Sequence, residues 1–143
     1  MRKLALTPLL AMALWSFGAQ TVLAIAQFQA VFIKEYITDH PDKEFADYVK
    51  KKAKCNICHQ GKVSPKNVHH NVYGTPLVEM LDPEKDKKDV EKIKKALAEV
   101  AAMPSDPKDE KSPTFGDLIK QSKLPGGPLE ESQKEPEGES AEQ

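Results

Sequence analysis

The chain has 143 residues, 21 Lys and Arg against 22 Asp and Glu, and a mean hydropathy of -0.56. One small soluble domain with a modest core fits that length and composition. A near-neutral balance excludes a strongly basic nucleic-acid binder, and two cysteines exclude a disulfide-stapled miniprotein.

The first residues read as an address. Arg2 and Lys3 form a short positive segment, and an apolar run follows from Leu4 to Ala19. Small residues at Ala24 and Ala26 fit a signal-peptidase site, so residues 1–24 are expected to be a secretory signal peptide, with cleavage after 26 as the second frame. The competing reading is an uncleaved membrane anchor, since no charge falls between Lys3 and Lys34. Both readings put the remainder outside the cytoplasm. Removing Arg2 and Lys3 leaves 19 positive side chains against 22 negative ones.

Residues 25–43 are expected to form a lead-in segment, with Phe28, Val31, Phe32, Tyr36 and Ile37 as apolar anchors. Asp39-His40-Pro41-Asp42 marks a turn and a helix start. The spacing of Phe45, Tyr48, Val49 and Ala53 predicts an amphipathic helix over 44–54, with lysines crowding its last turn. Residues 60–76 read as a loop punctuated by Gly61, Pro65, Asn67, Asn71, Gly74 and Pro76. A short helical turn is expected at 77–81. A helix at 87–102 carries Val90, Ile93, Leu97, Val100 and Ala101 on one face and ends at Met103-Pro104. After a polar linker, 113–121 reads as a last short helix with Phe115, Leu118 and Ile119 inward. Residues 129–143 hold six Glu and one Lys and are expected to be a disordered acidic tail. No period-2 strand pattern or internal repeat is present. The fold is therefore read as small and all-α, three to four helices with a core thin enough to want a large prosthetic group.

One motif carries chemistry. Cys55-Asn56-Ile57-Cys58-His59 is C-x-x-C-H, the attachment sequence of c-type haem. Two thiols at this spacing can each bond one vinyl group of a single haem, and the adjacent His supplies the proximal axial ligand. Export strengthens the reading, because such attachment follows export. Two other chemistries compete. Cys55 and Cys58 could join His69 and His70 in a Cys₂His₂ zinc site. They could also be a redox dithiol, although no βαβ context accompanies them.

The order of helix, C-x-x-C-H, turn-rich loop, helix, Met-Pro and short helix resembles the class I cytochromes c over roughly residues 44–124. Lys54-Cys55-Asn56-x-Cys58-His59 with Asn71-x-Tyr73-Gly74 and Thr114-Phe115-Gly116-Asp117 is similar to short exported monohaem cytochrome c-like proteins of planctomycete bacteria. The resemblance implies a cytochrome c-like haem domain over 44–128, with Phe45 and Tyr48 facing its core. It also implies a periplasmic electron carrier, monomeric and without substrate chemistry, holding one covalent haem c.

The sixth ligand is left open by the sequence. Met103 precedes Pro104, as distal Met ligands of that family often do; Met80, His69 and His70 are the alternatives, and a vacant site is the last. A vacant site would make the chain a ligand-binding haem protein, a sensor or weak peroxidase. Against efficient peroxide chemistry, Arg2 is the chain's sole arginine. Lys50, Lys51, Lys52, Lys54, Lys62 and Lys66 surround the motif, and residues 25–128 hold 18 positive against 16 negative side chains. Such a rim would suit an acidic redox partner. No nucleic acid is expected as a partner, and a membrane only if the N-terminal segment stays attached.

Overall fold

A computed structural model describes residues 20–62 and 69–136. The apolar run 4–19, the loop residues Pro65, Lys66 and Asn67, and the end of the acidic tail lie outside the described residues. The chain is mostly helical. Its elements are α1 (Gln20–Phe32), α2 (Lys43–Tyr48), β1 (His59–Gln60), β2 (His69–His70), α3 (Gly74–Met80), α4 (Val90–Ala101), α5 (Phe115–Lys120) and α6 (Leu129–Ser132). These are six α-helical segments among the described residues, where three to four were expected, because several are single turns. Among the described residues no helix is long and apolar enough to cross a membrane.

Three helices start where a side chain replaces a missing backbone partner. Asp42 accepts the Phe45 N–H at 2.9 Å, Asp89 accepts the Lys92 N–H at 2.9 Å, and Thr114 accepts the Asp117 N–H at 3.1 Å. α4 buries Ile93, Ala96, Leu97 and Val100, the i, i+3, i+4, i+7 stripe of an amphipathic helix. It packs against α1, α3 and α5 and is the centre of the fold.

The lead-in is part of the same core. α1 continues into a wide π-helical turn at Ile33–Ile37, and Val31, Phe32 and Ile37 are buried beside Tyr73 and Phe115. Cleavage after Ala24 falls inside α1 and would leave this packed half of the helix in place.

Where one helix over 44–54 is expected, three geometries follow one another. α2 gives way to a π-helical turn at Val49–Ala53 and then to a 3₁₀ turn at Lys54–Ile57. Phe45, Ala46, Val49 and Ala53 face inward, so Ala46 takes the place on the stripe expected for Tyr48, which is exposed. Lys54 has φ 47° and ψ -118°, a strained conformation for a residue with a Cβ.

The absence of strands is a second expectation that the structure corrects. β1 and β2 pair antiparallel, with His59 opposite His70 and Gln60 opposite His69. The pairing is two residues long, too short to leave a periodic signal.

The described start of the tail, 129–136, departs furthest from its expected disorder. Leu129–Ser132 forms a helical turn, and Leu129 packs on the core. The Ser132 carbonyl accepts the Gly61 N–H at 2.9 Å and the Asn56 side-chain N–H at 3.1 Å. Glu135 accepts the Lys62 N–H at 2.7 Å. Gly61 sits at φ +94° with the Glu135 carboxylate against it, a position only glycine fills without strain. Hydrogen bonds to the 56–62 loop thus order a segment whose composition alone would not.

Candidate haem-attachment site

The C-x-x-C-H residues occupy the tight 3₁₀ turn and the start of β1. The turn is closed by the Cys58 N–H donating to the Cys55 carbonyl at 3.2 Å. Asn71 then clamps it from the far side of the loop. Its backbone N–H donates to the Cys58 carbonyl at 3.0 Å. Its side-chain N–H group donates to the carbonyls of Asn56 at 3.1 Å and Ile57 at 3.2 Å. Its side-chain oxygen accepts the N–H groups of Tyr73 at 3.1 Å and Gly74 at 3.0 Å. One buried amide therefore ties the motif to the start of α3. Gly74 permits the contact, since a Cβ there would overlap the Cys58 carbonyl oxygen.

The two thiols differ. Cys55 is exposed and Cys58 half-buried against the core. Burial, and secondarily the Cys55 charge, pushes the Cys58 thiol up to about 12. Redox dithiols work through a thiolate stabilised near neutral pH. Cys58, the buried thiol of the pair, is held in the protonated form.

His59 is 8% exposed. Its Nδ1 lies 3.3 Å from the His69 carbonyl. A carbonyl can only accept, so Nδ1 carries the proton and Nε2 presents a lone pair. Metal-binding imidazoles are commonly oriented by such a bond. Burial, followed by the neighbouring His70, lowers the His59 pKa and favours the neutral, ligating form; the bond to His69 opposes this in part. Burial and His69 lower His70 likewise.

The zinc set does not assemble: among the described residues no three His, Cys, Asp or Glu converge on a metal position. Nor does His70 stand across from His59. The two are register partners on one ladder and project to one face, their ring centroids 4.6 Å apart. That is closer than two imidazoles flanking a haem plane. His69, one position along, projects to the other face.

Both candidate methionines are half-buried on the core. Met80 is the last residue of α3. Met103 lies just beyond α4; its N–H donates to the Val100 carbonyl at 3.0 Å and its carbonyl accepts the Phe115 N–H at 3.1 Å. A bridge between Pro104 and Thr114 closes the linker that follows.

His40, a residue not considered as a site on sequence, is buried on the wall of a groove of about 520 Å³ between the end of the π turn, α4 and α5. Its Nε2–H donates to the Ile119 carbonyl at 3.0 Å, and its Nδ1 accepts the Asp42 N–H at 3.2 Å. Both nitrogens are spent on backbone, so His40 is structural. None of Cys55, Cys58 and His59 lines the groove.

The exposed lysines Lys50, Lys52, Lys54 and Lys62 border the motif, and Lys51 pairs with Asp47 at 2.6 Å. The donor set of two thiols and one oriented imidazole fits a c-type haem. No family model matches this chain, and no curated protein or solved structure matches it either.

Proposed function

We propose that this chain is an exported c-type cytochrome that holds one haem covalently and carries single electrons without transforming a substrate. The observation that carries the reading is His59. It directly follows two thiols at the attachment spacing, with Nδ1 tied to the His69 carbonyl and Nε2 left as a lone-pair donor.

Cys55 and Cys58 would form the thioethers, and His59 would be the proximal ligand. When bound, the haem supplies the chemistry: its iron gains and loses one electron. The chain's own residues do the rest. Asn71 fixes the turn that spaces the two thiols and the imidazole. The Ser132 carbonyl braces the turn through Asn56 and Gly61. Met103 is the proposed sixth ligand: it lies in loop backbone next to a proline, whereas Met80 is held within α3 and His70 stands beside His59. Thioether Met ligation would raise the potential relative to a bis-His iron. The lysine rim favours an acidic redox partner, with association that weakens as salt rises. Arg2-Lys3, the apolar run and the small residues at Ala24 and Ala26 support export to the periplasm.

The test is haem staining on a denaturing gel after export alongside haem-maturation machinery. Wild type should stain at the chain's mass. The double variant Cys55→Ser/Cys58→Ser should not. An unstained wild type contradicts the reading.

A further inference from the structure

The strap from Gly126 to Pro136 meets the C-x-x-C-H turn at both of its ends. At the near end, Gly126 lies against the Asn71 side chain, and a Cβ there would overlap it. At the far end, the Ser132 carbonyl accepts the Gly61 N–H at 2.9 Å and an Asn56 side-chain N–H at 3.1 Å, and Glu135 accepts the Lys62 N–H at 2.7 Å. The same Asn56 amide donates to the carbonyls of His59 and Gly61, each at 3.2 Å. Cys58 lies inside the loop that this amide closes, half-buried against the core. Cys55 lies outside it and is exposed.

The strap is built to seat late and to release easily. Leu129 packs on the core, while Glu130, Glu131, Lys134 and Glu135 are exposed. So few buried contacts put a segment at the low-stability end of a fold. Gly127, at φ +92° with open space where a Cβ would lie, forms a hinge between Pro125 and Pro128. Asn56 and Ser132 are 76 residues apart in sequence, and Lys62 and Glu135 are 73 apart. Contacts this distant carry the loop-closure cost and form only after the chain as far as Glu135 has emerged.

We propose that residues 126–136 are a latch on the C-x-x-C-H turn: the Cys58 thiol is open to reaction until the strap seats and shielded afterwards, while Cys55 stays open throughout. The latch itself is independent of the haem reading above. Its use rests on that reading: an open turn admits a haem vinyl group to Cys58 before closure. In that step the thiol S–H adds across the vinyl double bond, sulfur to one carbon and hydrogen to the other, with nothing oxidised or reduced.

The experiment uses the full chain with both thiols reduced and no haem attached, and reads iodoacetamide alkylation of each cysteine by peptide mass spectrometry. In wild type, Cys58 is expected to react at least about tenfold more slowly than Cys55. Leu129→Ala/Glu135→Ala, which changes the strap alone, is expected to speed Cys58 at least about fivefold and to leave Cys55 at its wild-type rate. Glu131→Ala, which breaks only the pair with Lys134, is expected to change neither rate. Circular dichroism reports whether each variant is folded. If the double variant unfolds, Glu135→Ala alone, at an exposed side chain, carries the test, with Cys58 expected to react about threefold faster. A wild-type Cys58 rate in the folded strap variants overturns the latch, and so does a wild type whose two thiols react alike. A chain that shows the latch but takes no haem on the denaturing-gel stain overturns the functional reading alone.

Discussion

Asn71 and Cys58 are joined by a 3.0 Å hydrogen bond from the Asn71 N–H to the Cys58 carbonyl, and the Asn71 side chain caps two more carbonyls of the same turn. Removing that side chain strands buried backbone groups on both sides: the carbonyls of Asn56 and Ile57, and the N–H groups of Tyr73 and Gly74. Asn71→Ala is expected to cost about 3 kcal/mol. Urea unfolding followed by circular dichroism measures it. A loss below about 0.5 kcal/mol would mean that water or relaxed backbone takes the amide's place.

Gly74 tests the same junction from the side of α3. A methyl group there would overlap the Cys58 carbonyl oxygen, which is backbone and cannot swing away. Gly74→Ala is expected to cost more than about 3 kcal/mol, even though alanine is the better helix former by about 1 kcal/mol. A stabilised variant would place α3 farther from the motif than this structure does.

Lys54 predicts the opposite sign. Its φ of 47° with ψ of -118° is a region that glycine enters freely and lysine does not. Lys54→Gly is expected to raise stability by about 1 kcal/mol, read as a higher urea midpoint with unchanged slope. A lower midpoint would show that the lysine side chain contributes more than the strain it imposes.

Acid should weaken the fold through a few carboxylates. The Lys85 side chain, with the backbone N–H groups of Lys85 and Glu84, holds Asp82 down to about 2. Asp42 is lowered first by the Phe45 N–H, Asp86 first by Lys92, and Asp117 first by the Thr114 hydroxyl. Each is depressed in the folded chain, so its contribution is complete above the ordinary carboxylate pKa of about 4 and is lost as pH falls through the folded values. Tm is therefore expected to begin falling below about pH 6.5, where the depressed His59 and His70 let the unfolded chain bind protons first, and to drop further between about 4 and 2. Asp82→Asn should shrink that drop, and an unchanged slope would remove Asp82 from the account.

Local chemistry made much of the fold legible in sequence. The apolar stripe from Val90 to Ala101, the turn at Asp42 and the Phe115 helix all rest on neighbours three or four residues away, and all three are present. Tyr48 was misassigned because the π turn at Val49–Ala53 breaks the 3.6-residue period on which its inward placement depended. The ordering of Leu129–Ser132 was hidden because its partners, Asn56 and Gly61, lie some seventy residues earlier. Acidic composition says nothing of a backbone carbonyl meeting two N–H donors.

The candidate site divides the same way. The C-x-x-C-H motif is legible because it is defined by residue type and spacing alone. Asn71 is read in sequence as loop punctuation and, like Tyr73, as part of a resemblance. Their roles come from burial and from hydrogen bonds across the loop, which spacing does not encode. The His59–His70 pairing likewise needed the short β-ladder, and it turns one candidate sixth ligand into a neighbour of the proposed proximal one.

The most direct measurement is the optical spectrum of the exported, matured chain, oxidised and then reduced with dithionite. The account predicts a sharp α band on reduction and a weak far-red sulfur-to-iron band in the oxidised form that Met103→Leu abolishes. A low-spin spectrum in which that band is missing, or survives in Met103→Leu, would contradict Met103 as ligand. A high-spin spectrum with CO bound on reduction would contradict the electron-carrier assignment, and a chain without haem absorbance would contradict the account as a whole.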